Sequence, residues 1–331
     1  MTFSNDELKI ATEFDCCGML IQQAVDLYKC FNKEVFAPPL YQVNSIFSEP
    51  NSILCSAFNQ SHKFNYHDLD MPKVLSINNK SVLICFSGGL DSVYQAISLR
   101  EQGYEVYLFH VANMNKYTNG QELKAAEEFA KDFNFPLYIA TMSASGKSKF
   151  WFENPFKNTL LYTIAYEYML KLNIGILSCG DDLRLPLAEC AKEYNIADTR
   201  ELTLAFINKL KEKAGIEFLQ VDDTVEKAAR LEYLRNHNAI DYYYSCVGSG
   251  RFNKSLHTKN EAKYGIKLER YNCGSCRKCC IHSIMDYYVN KLPFSKDYID
   301  HCWDKVAVGS DSVYFGKHLT EEERLANFSK Y

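Results

Sequence analysis

The chain has 331 residues, 47% of them hydrophobic, and a formal net charge of −4. That length can bury one large core or two smaller ones, and the near-balanced charge excludes a general electrostatic pull toward nucleic acid or an acidic membrane surface. The start, Met1 to Glu7, lacks the basic and apolar regions of a signal peptide, and the longest apolar stretch, Leu160 to Leu177, is interrupted by Glu167 and Lys171, which argues against a membrane span.

Residues 1 to 79 are expected to be an N-terminal extension of unassigned role. Within it, Leu20, Ile21, Ala24, Val25, Leu27 and Tyr28 recur at helical spacing and predict an amphipathic helix from Leu20 to Phe31. Cys16 and Cys17 are too close together to chelate an ion by themselves and read as buried thiols.

From residue 80 to 240 the pattern alternates between strand and helix. Val82 to Phe86 reads as a buried strand and Val93 to Leu99 as the helix after it. Val106 to Phe109, Leu137 to Ala140 and Ile174 to Ser178 are further strands; Gln121 to Phe133 and Thr159 to Leu172 are the helices between them. Helical segments follow at Pro186 to Tyr194, Arg200 to Ala214 and Val225 to Asn236, and Tyr242 to Cys246 reads as extended. Short connections and strict alternation predict an α/β fold, a doubly wound parallel sheet. Such sheets bind ligands beyond the carboxyl ends of their strands. That places the loop after Phe86, His110 to Asn113, Thr141 to Lys147 and Cys179 to Asp182 around one crevice.

The loop after the first of these strands is Ser87-Gly88-Gly89-Leu90-Asp91-Ser92. Glycines let a backbone approach oxyanions closely, and first-turn amides of the following helix have no partner inside it. Ser87 and Ser92 add hydroxyl donors. Asp91, beside a phosphate, either orders the loop or helps to hold a Mg²⁺ ion. The string lacks the Gly-Lys-Ser/Thr of a Walker loop and the third glycine of the dinucleotide fingerprint. It resembles the PP-loop of the N-type ATP pyrophosphatases, which split ATP between its α and β phosphates and pass the adenylyl group to a substrate oxygen. The resemblance implies the adenine nucleotide α-hydrolase-like fold, with Phe86, Ser87, Gly88, Gly89, Leu90, Asp91, Ser92 and Val93 on ATP and Asp91 and Ser92 at the reacting phosphates.

Residues 241 to 331 are expected to form a helical, zinc-binding region. Thirteen cysteines without regular disulfide spacing fit a reducing, cytoplasmic setting and a metal. Cys273, Cys276 and Cys279 stand at C-x2-C-x2-C, a spacing that lets thiolates converge on one tetrahedral Zn²⁺. The fourth ligand is read as Cys246, with Cys280 and His282 as alternatives. An iron–sulfur cluster or a set of free buried thiols are the other readings of the group.

A PP-loop followed far downstream by Ser245-Cys246 and then Cys273-Gly274-Ser275-Cys276-Arg277-Lys278-Cys279 resembles the 7-cyano-7-deazaguanine synthase family. Pro155-Phe156-Lys157-Asn158 resembles that family's Pro-x-Arg-Asn segment, with a lysine where the family has arginine, and Glu122 matches an acidic position early in its second helix. The similar region runs from Ser81 to Cys279. By this resemblance Lys157 acts on the ATP phosphates, Asn158 also binds ATP, and the chain is an ATP-dependent carbon–nitrogen ligase. Its implied partners are ATP, Mg²⁺, Zn²⁺, ammonia and a small carboxylate of the 7-deazaguanine kind, with a homodimer as the assembly considered.

Departures from the family fall where the substrate is read. His110-Val111-Ala112-Asn113 replaces an Asp-Tyr-Gly-Gln segment, and Asp198 to Phe206 keeps an acid and an arginine but loses the family's prolines and cysteine. Asp182, Asp198 and Arg200 are the candidates for holding a polar heterocycle. The rival functions are tRNA thiolation or another sulfur transfer, and nucleotide binding without turnover in a modification or defence pathway. A tRNA substrate sits poorly with the net charge.

Overall fold

The structure, a computed structural model, describes residues 8–12, 42–44, 49–50, 65–67, 80–112, 121–144, 156–180, 200–222, 224–244, 246, 254–308 and 315–330. The expected helices at Leu20 to Phe31 and Pro186 to Tyr194 lie outside them, as do Cys16 and Cys17.

Strand β4 (Ser81–Cys85) is buried along its whole length, as an apolar run with neighbours on both edges must be. It pairs in parallel with β5 (Glu105–Ala112) on one side and β7 (Ile176–Cys179) on the other. Parallel pairing continues outward to β6 (Leu137–Ala144) and to β8 (Glu217–Leu219), a short strand with no forecast in the sequence. An N-terminal strand, β1 (Leu8–Thr12), adds antiparallel to β6, so the sheet order is β1-β6-β5-β4-β7-β8. Two short strands, β2 (Gln42–Asn44) and β3 (Asn65–His67), form a separate parallel pair. The five parallel strands interleave with α1 (Leu90–Glu101), α2 (Gln121–Asp132), α3 (Phe156–Leu172) and α4 (Arg200–Ala214). The fold is the doubly wound α/β sheet expected from the alternation.

Strand order reverses at β4. From there the chain steps to β5 and β6, then crosses back to β7 and β8. Open α/β sheets bind ligands at such a switch point. Here it lies between the carboxyl ends of β4 and β7, where Ser87 to Ser92 and Gly180 stand.

Several boundaries differ from the expected ones. β5 continues through His110, Val111 and Ala112, which the sequence placed in a loop, because these residues pair with Ile139, Ala140 and Thr141. His110 is tolerated in the buried strand because its Nδ1 lies 2.9 Å from the Phe86 carbonyl oxygen. β6 likewise runs on to Ala144. β7 starts two residues later than expected: α3 ends on Asn173 in the left-handed conformation (φ 52°), and the Ile174 amide donates back to the Met169 carbonyl. The piece read as extended from Tyr242 begins with a 3-10 turn, Ile240–Tyr242, before straightening at Tyr243.

Beyond the sheet come α5 (Lys227–Asn236), α6 (Lys254–Tyr264), α7 (Arg277–Tyr288), α8 (Lys296–Val306) and α9 (Glu321–Ala326). They share one hydrophobic core with one face of the sheet. Val82, Ile84 and Leu108 from strands, Val93 and Phe129 from α1 and α2, and Leu231, Ile281 and Trp303 from the later helices all belong to it. Phe86 stacks on Phe129 at 5.2 Å between centroids, tying the start of the loop to α2.

Candidate functional site

Phe86 is buried and its amide donates to the Phe109 carbonyl (2.7 Å), so the loop leaves the sheet from a fixed point. Gly88 then adopts φ 72°, a conformation that costs an L side chain about 1–2 kcal/mol. Gly89 is extended and caps α1, which starts at Leu90. Ser92 Oγ donates to the Gly89 carbonyl (3.0 Å) and lies 3.3 Å from Ser87 Oγ, while the Gly89 amide donates to Ser87 Oγ (3.2 Å). The two serines thus close the loop on itself. The amides of Leu90, Asp91 and Ser92 stand in the first turn of α1, where no acceptor exists within the helix.

Three distant segments hold this loop. The Tyr244 amide donates to the Gly88 carbonyl at 2.6 Å. Gly180, just past β7, lies so close to α1 that a methyl group on it would sit 2.6 Å from the Ser92 nitrogen and 2.9 Å from the Asp91 carbonyl carbon. Arg230, on α5 and only 1% exposed, donates from Nη1 to Asp91 Oδ1 at 2.6 Å and from Nη2 to the Asp222 carbonyl at 2.8 Å. Its Nε is buried without a hydrogen-bond partner among the described residues, and its guanidinium lies 5.6 Å from the Tyr94 ring centre. Burial pushes the Asp91 carboxyl up. The charges of Lys227, Arg230 and Lys278 and the Arg230 hydrogen bond outweigh that and hold it below the ordinary carboxylate value.

The second site is a knot of cysteines. Cys246, Cys273, Cys276 and Cys279 bring their sulfur atoms within 4.8 Å of one another. Cys246 Sγ lies 3.6 Å from Cys279 Sγ, and Cys273 Sγ 3.9 Å from it. Bonds of about 2.3 Å to one tetrahedral ion would set sulfurs about 3.8 Å apart, so the quartet fits a single metal ion. Its turn depends on Gly274, at φ 68°, whose amide donates to Asn272 Oδ1 (2.8 Å). Asn260 braces the same turn by donating to the Cys273 carbonyl and to Ser275 Oγ. Cys276 caps α7, and Cys279 follows in its first turn. Hydrogen bonds from the neighbouring thiols push Cys273 down, while burial pushes Cys279 up. Three buried thiols and a half-buried one, Cys276, this close compete for protons, and a divalent cation is what lets all of them ionise.

Cys280 and His282 stand apart from the quartet. Cys280 Sγ points to the Gly274 carbonyl, and His282 Nδ1 lies 3.3 Å from the Tyr243 hydroxyl. The two sites adjoin. Tyr244, which holds Gly88, precedes Cys246 by two residues, and Ala125 of α2 packs in one apolar cluster with Tyr244, Cys246, Tyr271, Cys273 and Cys279. The Glu122 carbonyl, one turn earlier on α2, would meet a methyl at Gly88 at 3.6 Å.

The remaining sequence candidates are placed less fully. Lys157 and Asn158 are in the first turn of α3, and Arg200 is the first residue of α4. Asp182 and Asp198 lie outside the described residues. Sequence reasoning missed Arg230 and Tyr244, and it set Gly180 in a crevice segment without its close approach to α1. The one trace of Arg230 in the sequence is a lone arginine in the apolar stripe formed by Ala228, Leu231 and Leu234.

No family model and no curated protein matches the chain. Among solved structures it is similar to the U34-tRNA thiolase NcsA from Methanococcus maripaludis with its 4Fe-4S cluster: 19% identity, 61% of this chain and 71% of that one, TM-score 0.36. It is also similar to NMN synthetase from Francisella tularensis, at 13% identity over 75% of this chain and 87% of that one, TM-score 0.32. A third is a predicted subunit of tRNA methyltransferase from Methanocaldococcus jannaschii, with 16% identity, 50% and 91% coverage and a TM-score of 0.27. Scores this low lend no residue a role.

Proposed function

We propose that the chain is an ATP-dependent carbon–nitrogen ligase of the PP-loop type, acting on a carboxylate and ammonia. The observation that carries this reading is the Ser87 to Ser92 loop, with Gly88 left-handed and first-turn amides exposed to a ligand, at the switch point of a doubly wound sheet. A substrate carboxylate oxygen attacks the α-phosphorus of ATP. The bond to the β-phosphate oxygen breaks, and pyrophosphate leaves with the electron pair, held by the loop amides and Mg²⁺. Ammonia then adds to the acyl carbon, AMP departs, and a proton is lost to give an amide. A second adenylation, on the amide oxygen with release of a second pyrophosphate, followed by loss of AMP and of both nitrogen-bound protons, gives a nitrile. Catalysis here is positioning and charge neutralisation.

Within this reading Asp91 orders the loop: Arg230 occupies its Oδ1. Ser92 and Lys157 remain the residues assigned to the reacting phosphates, and Asp182, Asp198 and Arg200 to the acceptor. Zn²⁺ is the ion assigned to Cys246, Cys273, Cys276 and Cys279. Four protein thiolates on one ion leave no open position, so the zinc is structural. The sulfur distances favour one ion over an iron–sulfur cube, whose cysteines sit on separate irons. Sulfur transfer is disfavoured because every described cysteine outside the quartet (Cys85, Cys179, Cys280 and Cys302) is buried. Among the described residues no helix is long and apolar enough to cross a membrane.

The test is incubation with ATP, Mg²⁺, ammonia and 7-carboxy-7-deazaguanine, following AMP, pyrophosphate and product mass. An amide or nitrile is the expected product. AMP formation that needs tRNA and a sulfur donor would replace the reading with thiolation, and nucleotide binding with no AMP under any condition would replace it with a non-catalytic role.

A further inference from the structure

A cavity of about 250 Å³ opens between the C-terminal end of α5 and the turns that follow α6 and α7. No residue of the Ser87 to Ser92 loop or of the cysteine quartet lines it. One wall is apolar, with Ile240, Leu292 and Phe294. Beside it stand four charged residues, Arg235, Asp241, Lys267 and Glu269. An apolar hollow with a few convergent polar groups is the usual form of a small-molecule site.

The charges do not cancel within the cavity. Arg235 is committed to Asp286, which is 1% exposed: Nη1 donates to Oδ1 at 2.8 Å and Nη2 to Oδ2, a bidentate pair. Only a longer contact, 3.3 Å from Nη2, is left for Glu269 Oε1. Glu269 Oε2 accepts from Asn272 Nδ2 at 2.8 Å, and Asn272 Oδ1 takes the Gly274 amide of the cysteine turn. Glu269, with its side chain 10% exposed, is therefore held in place while sharing one guanidinium with a second carboxylate. Burial, then the Asp286 charge, push its carboxyl up, as expected of an acid short of counter-charge. Asp241 adds another carboxylate, whose Oδ1 accepts the Arg270 amide at 3.0 Å. Lys267 is the opposite case: it is exposed and makes no hydrogen bond or ion pair among the described residues.

We infer that this cavity binds a small zwitterion, an ammonium and a carboxylate on an apolar body, the class of the apolar α-amino acids. The ammonium meets Glu269 and Asp241, the carboxylate meets Lys267, and the body lies against Ile240, Leu292 and Phe294. A simple anion would face the two carboxylates, and a simple amine would face Lys267; a ligand with both charges satisfies both sides. Size agrees. A cavity of about 150 Å³ takes up benzene, so this one admits a ligand somewhat larger, which suits a free amino acid and excludes a nucleotide. The inference stands apart from the proposed ATP chemistry.

Ligand-observed NMR and titration calorimetry on the metal-loaded full chain test it with three probes: L-leucine, isoamylamine (leucine without its carboxylate) and isocaproate (leucine without its ammonium). Leucine should bind, and each of the other two should bind at least about 10-fold more weakly, the value of one charge-assisted contact. Lys267→Met should weaken leucine by roughly 10-fold, leave isoamylamine no weaker, and keep the wild-type melting temperature, since its side chain is exposed. Glu269→Gln, which keeps an acceptor for Asn272, should weaken leucine and isoamylamine alike. Absence of leucine binding by the wild type overturns the inference, as does equal leucine affinity in wild type and Lys267→Met. Isoamylamine binding as tightly as leucine also overturns it, in favour of a site for simple cations.

Discussion

At the Ser87 to Ser92 loop the groups on offer belong to the main chain. At the cysteine knot they belong to side chains. The loop is six contiguous residues that end in the partnerless first-turn amides of α1, and its two serines lie against each other. The knot draws thiols from two stretches separated by α6 and gathers their sulfur atoms in one place. A main-chain site can be written in one short string because its geometry follows from one strand end, one glycine and one helix start. A side-chain site needs its carriers brought together by the rest of the fold. The loop is nevertheless not self-sufficient: Arg230, Tyr244 and Gly180 clamp it from outside.

The sharpest way to separate the two regions is to break the cysteine quartet. Cys276→Ser should abolish stoichiometric metal binding and cost several kcal/mol, since a structural zinc contributes on the order of 10 kcal/mol in small domains. Metal analysis with thermal unfolding checks it. Cys280→Ala, one residue beyond the quartet, should retain its metal; loss of metal in that variant would redraw the ligand set.

Next in size is Asp91→Ala, which strands a buried arginine and should destabilise by about 3–5 kcal/mol in denaturant unfolding. A purely catalytic role for Asp91 would leave stability untouched. The sign of the pH dependence follows from the lowered Asp91 pKa. The pair contributes above the unfolded carboxylate value and is lost as pH falls through the lower folded value. The stability gap between wild type and Asp91→Asn should therefore close in acid, and a gap that widened there would contradict the assignment.

Gly180→Ala should cost about 1–3 kcal/mol, because its methyl meets backbone, which cannot swing aside. The same methyl pushes on the Ser92 amide, so nucleotide affinity should fall with stability. Gly88→Ala sharpens the contrast at the small end. The nearest atom to its methyl is 3.6 Å away, so only the left-handed backbone is penalised, by about 1 kcal/mol in thermal unfolding.

How much could be read without the fold varies by element. The strand Ser81–Cys85, the loop after it and the helix Arg200–Ala214 are legible because apolar runs, glycines and helical periodicity are local signals. β8 and β1 are not. Each is short, sits at a sheet edge and is recruited by pairing with a neighbour rather than by its own pattern. His110 misleads because a histidine beside a strand end suggests a loop, and only the Phe86 carbonyl opposite makes its burial acceptable.

The fourth thiol of the knot shows the same limit. Spacing leaves Cys246, Cys280 and His282 open. Rotation of α7 turns Cys280 away from Cys279, and the path from Tyr244 carries Cys246 to the other sulfurs. The amino-acid string alone determined the strand, glycine loop and helix start around Ser87 to Ser92, the parallel α/β alternation and the three evenly spaced thiols, because each depends on residues within a few positions of one another, and it put Cys246 first among the candidates for the fourth. Tertiary structure alone decided the arginine behind Asp91, the glycine against Ser92 and the amide on Gly88. Those contacts join residues far apart in the chain, and long-range pairing is fixed by packing and register, which no local pattern records.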